Sequence, residues 1–454
     1  MSNFSSPASR REFLRRATAF GAYGAAAPLA LQLATLGAAS AQTANDYRAL
    51  VCIFMYGGND GHNTIIPYDK THHDRYLAAR PALALSRQEL ANTVLTPAAA
   101  WVSGRSFALH PEMASLKPIF DEGKLSLGFR VGTMNAPTTR EDFLRDNNLP
   151  AKLFSHNDQF NLWQSMLTEG AGSGWGGRMG DVLASGNGTS QILTNISVGA
   201  SAVFSSGAGT SFEYAMTPAG PVSLAPVQSQ AAQQLIEREM ARRNRTNLLR
   251  VEVRDRYQRN AEAAKLLSSS LTSVGPVTMP ASPLGSSLGA VARVITARQS
   301  LGVKRQVFFV SIGGFDTHNN QREVQDPLLA TVANSMEAFQ RYLDSMGVGQ
   351  QVTTFTASDF GRSLTTNVSG SDHGWGSHML VMGGAVKRRW FGGLPSLALG
   401  ESDDVGQGRM LPAVSVDQYG ATLARWMGVE AGNMATIFPN IINFDKQDLG
   451  FLGA

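Results

Sequence analysis

Arg48-Ala49-Leu50-Val51-Cys52-Ile53-Phe54-Met55-Tyr56 runs straight into Gly57-Gly58-Asn59-Asp60-Gly61-His62-Asn63. An almost unbroken apolar run, stopped by two glycines and a polar turn, reads as a β-strand covered on both faces. Such strands sit in sheets sandwiched between helices. The same signature recurs at 124–131, 192–200, 306–312, 352–356 and 379–382. Helical patterns lie between and around these runs, at 155–166, 228–271, 288–299, 327–346 and 416–427. The first of them opens with Ser155-His156-Asn157-Asp158, good capping chemistry. Residues 171–180, rich in glycine, read as a loop. Alternating strand and helix predict an α/β fold: a mostly parallel central sheet with helices on both faces.

The N-terminus follows a different logic. Ser9-Arg10-Arg11-Glu12-Phe13-Leu14 precedes a weakly apolar Ala/Gly/Leu stretch over 17–36, which closes on Ala39-Ser40-Ala41. Paired arginines, an apolar core and small residues at a cleavage spacing make a twin-arginine signal peptide over residues 1–41. The expectation is export, already folded, by the twin-arginine machinery to the periplasm or beyond. The Ala/Gly core is too weakly apolar for a stable membrane span, which needs ~20 strongly apolar residues. The mature part, 42–454, then reads as one large domain in which 201–287 is a helical and linker insertion.

Charge excludes one class of partner. The chain carries 39 basic and 35 acidic residues; without Arg10, Arg11, Arg15, Arg16 and Glu12, 35 and 34 remain. So even a balance gives no field for nucleic acid. Cys52 is the only cysteine, so no internal disulfide is possible, and its apolar neighbours mark it as a buried, inert thiol.

Candidate metal ligands gather where the strands end. Asp60 follows the first strand, and Gly313-Gly314-Phe315-Asp316-Thr317-His318 follows the 306–312 strand. Ser358-Asp359-Phe360-Gly361-Arg362 follows the next, and Asp372-His373-Gly374-Trp375-Gly376-Ser377-His378 lies just beyond. In an open α/β sheet, sites form outside the carboxyl ends of the strands, so parallel strands would bring all four loops to one edge. Carboxylates with neutral imidazoles suit zinc, manganese or a related divalent ion, and two such ions could clamp an ester undergoing phosphoryl or sulfuryl transfer. Arg362 is placed to pair an anionic group. Ser155, heading a helix beside His156, is the candidate nucleophile, because a helix N-terminus favours an anion. His62, His72, His73 and His110 read as structural or surface residues.

Taken together, the twin-arginine start, Phe54-Met55-Tyr56-Gly57-Gly58-Asn59-Asp60-Gly61, Leu109-His110-Pro111, Gly174-Trp175-Gly176-Gly177-Arg178, Gly313 to His318, Ser358 to Arg362 and Asp372-His373-Gly374 resemble the exported domain-of-unknown-function family numbered 1501. That resemblance covers nearly the whole mature chain. It implies membership of the alkaline phosphatase and sulfatase superfamily, with an alkaline phosphatase-like sandwich and a two-metal site. Carried over, Asp60, Asp316, His318, Asp359 and His373 or His378 would be ligands, with Asp372 beside them. Asp316 and His318 stand two apart, where phosphatases usually space that pair by four, and Phe360 stands where a second histidine usually follows the aspartate. The function implied is a metal-dependent hydrolase of phosphate or sulfate esters, using one or two divalent ions and acting on a small anionic ester. The alternative is a non-catalytic protein on the same fold that binds an envelope polymer or a partner.

Overall fold

The computed structural model describes residues 46–96, 104–167, 170–209, 212–222, 231, 234–235, 238, 248–387 and 389–453. The twin-arginine segment lies outside them. Among the described residues no helix is long and apolar enough to cross a membrane.

A ten-stranded mixed sheet organises residues 48–453. In chain order its strands are β1 (Arg48–Met55), β2 (Leu125–Gly132), β3 (Asn195–Val198), β4 (Glu213–Thr217), β5 (Gly220–Pro221), β6 (Arg305–Ile312), β7 (Val352–Ser358), β8 (Ser377–Gly383), β9 (Trp390–Gly392) and β10 (Val414–Ser415). Across the sheet the order is β9-β2-β8-β7-β1-β6-β3-β4-β5, with β10 also pairing β2. β1 lies centrally, parallel to β7 on one side and to β6 on the other. Its burial on both faces explains its unbroken apolar sequence. Leu50, Cys52 and Phe54 join a core with Trp163, Trp175, Tyr419 and Leu423. Those partners come from helices α1 (His156–Ser165), α2 (Trp175–Leu183) and α6 (Val416–Met427). The alternate residues Ala49, Val51 and Ile53 are as deeply buried and point to the other face. There α4 (Pro283–Thr296) lies against β6, and α5 (Gln321–Ser345) packs on α4. The α/β sandwich expected from the alternation is the fold. Burial pushes the Cys52 thiol well above its usual range, in keeping with an inert core residue.

Three local expectations change. β8 is antiparallel to both neighbours, β7 and β2. The segment entering β8 therefore lies at the edge where β1, β6 and β7 end, so the loops meet for a reason other than uniform direction. Residues from Trp175 onward form helix α2 and not a loop. Its glycines serve packing: a Cβ on Gly177 would stand 2.0 Å from the carbonyl oxygen of Ser206. Helix α5 begins at Gln321, a turn and a half before Pro327, which it carries inside.

Part of the 201–287 region joins the sheet as β4 and β5, and its described helix, α3, spans Leu248–Thr272. A short hairpin, Arg362–Thr366 with Ser371–His373, stands on the sheet edge and sets Arg362 opposite His373.

Candidate metal centre

Three loops and one helix end converge at the carboxyl edge. The β1 turn can approach the β6 loop only because residue 57 is glycine. Its φ is 112°, and a Cβ there would lie 2.4 Å from the Asp316 nitrogen. The backbones are tied by Phe315 N–H donating to Tyr56 O at 3.1 Å. The Gly57 N–H in turn donates to Asp359 Oδ2 at 3.1 Å. This fixes the β1, β6 and β7 loops against one another, and the hairpin carries His373 over them.

His156, Asp316 and His373 each offer a ligand atom within 4.8 Å of the other two. His156 Nε2 lies 3.0 Å from His373 Nε2, and both lie 3.4 Å from Asp316 Oδ1. His318 borders the group, its Nε2 2.9 Å from His373 Nε2 and 3.0 Å from Asp316 Oδ1. The cluster is open to solvent: the Asp316 and His318 side chains are 48% and 40% exposed.

The remaining ring nitrogens decide the protonation. His373 Nδ1 faces the Phe154 carbonyl at 2.7 Å. A carbonyl only accepts, so Nδ1 carries the proton and the neutral ring presents Nε2 as a lone pair. His156 Nδ1 faces the Asp359 carboxylate at 2.7 Å, so it too carries a proton, and its Nε2 is left to a second proton or to a metal cation. His318 Nδ1 lies 3.4 Å from Asp372 Oδ1. Each imidazole thus turns one nitrogen outward to an acceptor and the other inward. Metal-ligating histidines are oriented in this way.

Two imidazole nitrogens 3.0 Å apart, beside a carboxylate oxygen, need a proton or a metal cation between them. The donor set of imidazole nitrogens and one carboxylate oxygen suits a divalent transition ion. The Asp359 bond raises the His156 pKa above its usual value, so a proton is the competitor for that place. Burial lowers that of His373. Burial also works to raise the Asp316 carboxyl, but Arg362 and the facing imidazoles hold it below the ordinary value.

Arg362 is fully buried and engaged. Its Nη1 donates to Asp316 Oδ1 at 2.8 Å and to Gly57 O at 3.3 Å, and its Nη2 to Ser371 O. It steadies the Asp316 carboxylate and has no face turned to a substrate. Of the other sequence candidates, Asp316, His318, Asp359, Asp372 and His373 come together here. Asp60 does not: it is buried in a bidentate pair with Arg80, at 3.0 and 2.5 Å, and also accepts from Gln321. His378 is buried against Phe129 and His62, with its Nδ1 accepting from the Arg130 N–H at 3.3 Å. Ser155 precedes His156, and its hydroxyl donates to Asp158 Oδ2 at 2.6 Å. The candidate ligand that sequence reasoning misses is His156. Its one signal is its place as the first residue of helix α1, next to the serine singled out at the helix N-terminus.

The chain belongs to the DUF1501 family of proteins of unknown function, whose model matches residues 47–438. No curated protein is similar to it in sequence. Two solved structures are similar at a low level. One is the crystal structure of Ps i-CgsB, with a TM-score of 0.34 and 10% identity over 88% of this chain and 77% of that one. The other is Ps i-CgsB in complex with k-i-k-neocarrahexaose, with a TM-score of 0.33 and 11% identity over the same shares.

Proposed function

We propose that this protein is an exported metal-dependent hydrolase of phosphate or sulfate esters, holding one divalent ion, zinc or manganese, on His156, Asp316 and His373, with His318 alongside. The observation that carries the reading is the pair of imidazole nitrogens facing each other at 3.0 Å beside the Asp316 carboxylate, on an open edge of the sheet. Of the one or two ions that the sequence suggests, this reading keeps one, because Asp60 is paired with Arg80 and His378 lies in the core.

When bound there, a divalent ion supplies Lewis-acid polarisation of an ester oxygen. The chain's own groups do the rest. Asp359 and the Phe154 carbonyl hold two ligand rings in one tautomer and one orientation. Arg362 holds Asp316 ionised and in place. Ser155 is engaged with Asp158, so water is the nucleophile in this reading. Asp372, 56% exposed, faces His318 Nδ1 at 3.4 Å and orients that ring.

The engagement of Ser155 also favours a second reading, a non-catalytic protein that uses the same centre to bind an envelope polymer or a partner. Elemental analysis of the purified protein, followed by a screen of aryl phosphate and aryl sulfate esters, separates the two. A transition metal at about one equivalent with turnover of either ester supports the hydrolase. Metal without turnover favours the binding protein. Protein still metal-free after incubation with zinc and manganese sinks both metal-based readings.

A further inference from the structure

Arg409 is a cation next to this centre whose terminal nitrogens no described residue hydrogen-bonds. Its Nε donates to the carbonyl oxygen of His373 at 3.0 Å. Its guanidinium carbon stands 4.7 Å from the ring centroid of Phe154. The Phe154 carbonyl is the group that holds His373 Nδ1. One aromatic residue therefore orients a ligand ring with its backbone and supports an arginine with its face. Phe154 sits at φ 71°, a left-handed conformation that a bulky residue adopts only when its surroundings impose it.

The Arg409 loop is anchored on both sides of the site. Leu364 N–H donates to Gly408 O at 2.8 Å, and Gly376 N–H donates to Met410 O at 2.8 Å. The first bond ties it to the hairpin carrying Arg362 and His373, the second to the segment entering β8. The arginine is thus held by its backbone, its Nε and its stacking. Its two terminal NH₂ groups bond to nothing among the described residues. Arg362 is the reverse case, with its terminal nitrogens bonded to Asp316, Gly57 and Ser371.

We propose that Arg409 is the substrate-anion receptor of this site: its terminal NH₂ groups grip two oxygens of a tetrahedral oxyanion, a phosphate or sulfate group, beside His373. This rests on the hydrolase reading, from which it takes the substrate class. Two donors in a fixed plane match two oxygens of such a group. Their orientation is set before the ligand arrives, so little freedom is lost on binding.

The test uses the full chain with inorganic phosphate and inorganic sulfate as probes, read by calorimetry alongside metal content. Wild type, Arg409→Ala, Arg409→Gln and Arg409→Lys are compared. Arg409→Gln keeps a donor that can reach the His373 carbonyl, should the alanine variant fold poorly. Expected are unchanged metal content and a dissociation constant for one of the two anions raised about tenfold or more in Arg409→Ala and Arg409→Gln, partly restored in Arg409→Lys. The anion that responds identifies the ester class. An unchanged dissociation constant at unchanged metal content overturns the receptor role and leaves the metal centre standing. Loss of metal in Arg409→Gln also overturns it, since the arginine would then be serving His373. If the wild type holds no metal, the hydrolase reading falls by itself. The receptor role is then judged on metal-free protein, where absent anion binding, or binding indifferent to Arg409, ends it.

Discussion

His156 and His373 point their Nε2 nitrogens at each other across 3.0 Å, while the opposite nitrogen of each ring is held by Asp359 and by the Phe154 carbonyl. Neither ring can turn away without breaking its outer bond. The expected consequence is that His156→Ala and His373→Ala each lose the bound ion while the fold survives, because both residues lie at the sheet edge. Elemental analysis beside a thermal melt checks this. Metal retained at wild-type stoichiometry in both variants would remove these residues from the centre.

Asp359→Asn tests the outer bonds. The amide keeps the size of the side chain but no longer presents a charged acceptor to His156 Nδ1. Metal affinity is expected to fall by ~10–100-fold, with circular dichroism unchanged. Competition against a chromogenic chelator measures it, and an affinity equal to wild type would show that the Asp359 bond does not tune this ligand.

Asp60 has a structural task, and it can be separated from the metal. Both carboxylate oxygens face Arg80, and both side chains are 0% exposed. Arg80→Ala leaves a buried carboxylate without its counter-ion and is expected to destabilise the fold by ~3–5 kcal/mol. Metal content in the surviving folded protein should be unchanged. Denaturant unfolding gives the first number and elemental analysis the second. Loss of metal without loss of stability would return Asp60 to the centre.

Asp417 gives the fold a pH dependence of its own. Burial raises its carboxyl from an ordinary 3.8 to about 6. The folded state therefore binds the proton more tightly than the unfolded chain. This group's contribution to stability is full below about pH 4, is lost as pH rises through the window, and is gone above about pH 6. The loss is on the order of 3 kcal/mol. Asp417→Asn keeps an acceptor for the Asn440 N–H and should be more stable at pH 7 relative to pH 4 than the wild type by a similar amount. Parallel stability–pH curves for the two proteins would contradict it.

The sequence disclosed what is repeated along a single segment. β1 and β6 are legible because burial on both faces leaves a nearly unbroken apolar run, and β7 because its β-branched residues mark a strand even where they are polar. Asp316, His318, Asp359, Asp372 and His373 are legible because glycine-flanked aspartates and histidines close those strands. The direction of β8 depends on how its connection returns, which composition does not carry. The glycines of α2 look like loop residues, because their purpose, room for the backbone near Ser206, belongs to the partner segment. Asp60 and His156 fail in opposite ways. An aspartate after a strand has the same local sequence whether it meets a metal or an arginine twenty positions on. A histidine opening a helix shows nothing of the Asp359 loop that the fold lays beside it.

The central position of β1 also sets a timetable. Arg48 pairs with Arg305, and Ala49 with Val352. A chain leaving the ribosome therefore exposes one of its most apolar segments long before either flanking strand has been made, and closing so distant a pairing is slow. Until then that segment is open to chaperones and to aggregation alike.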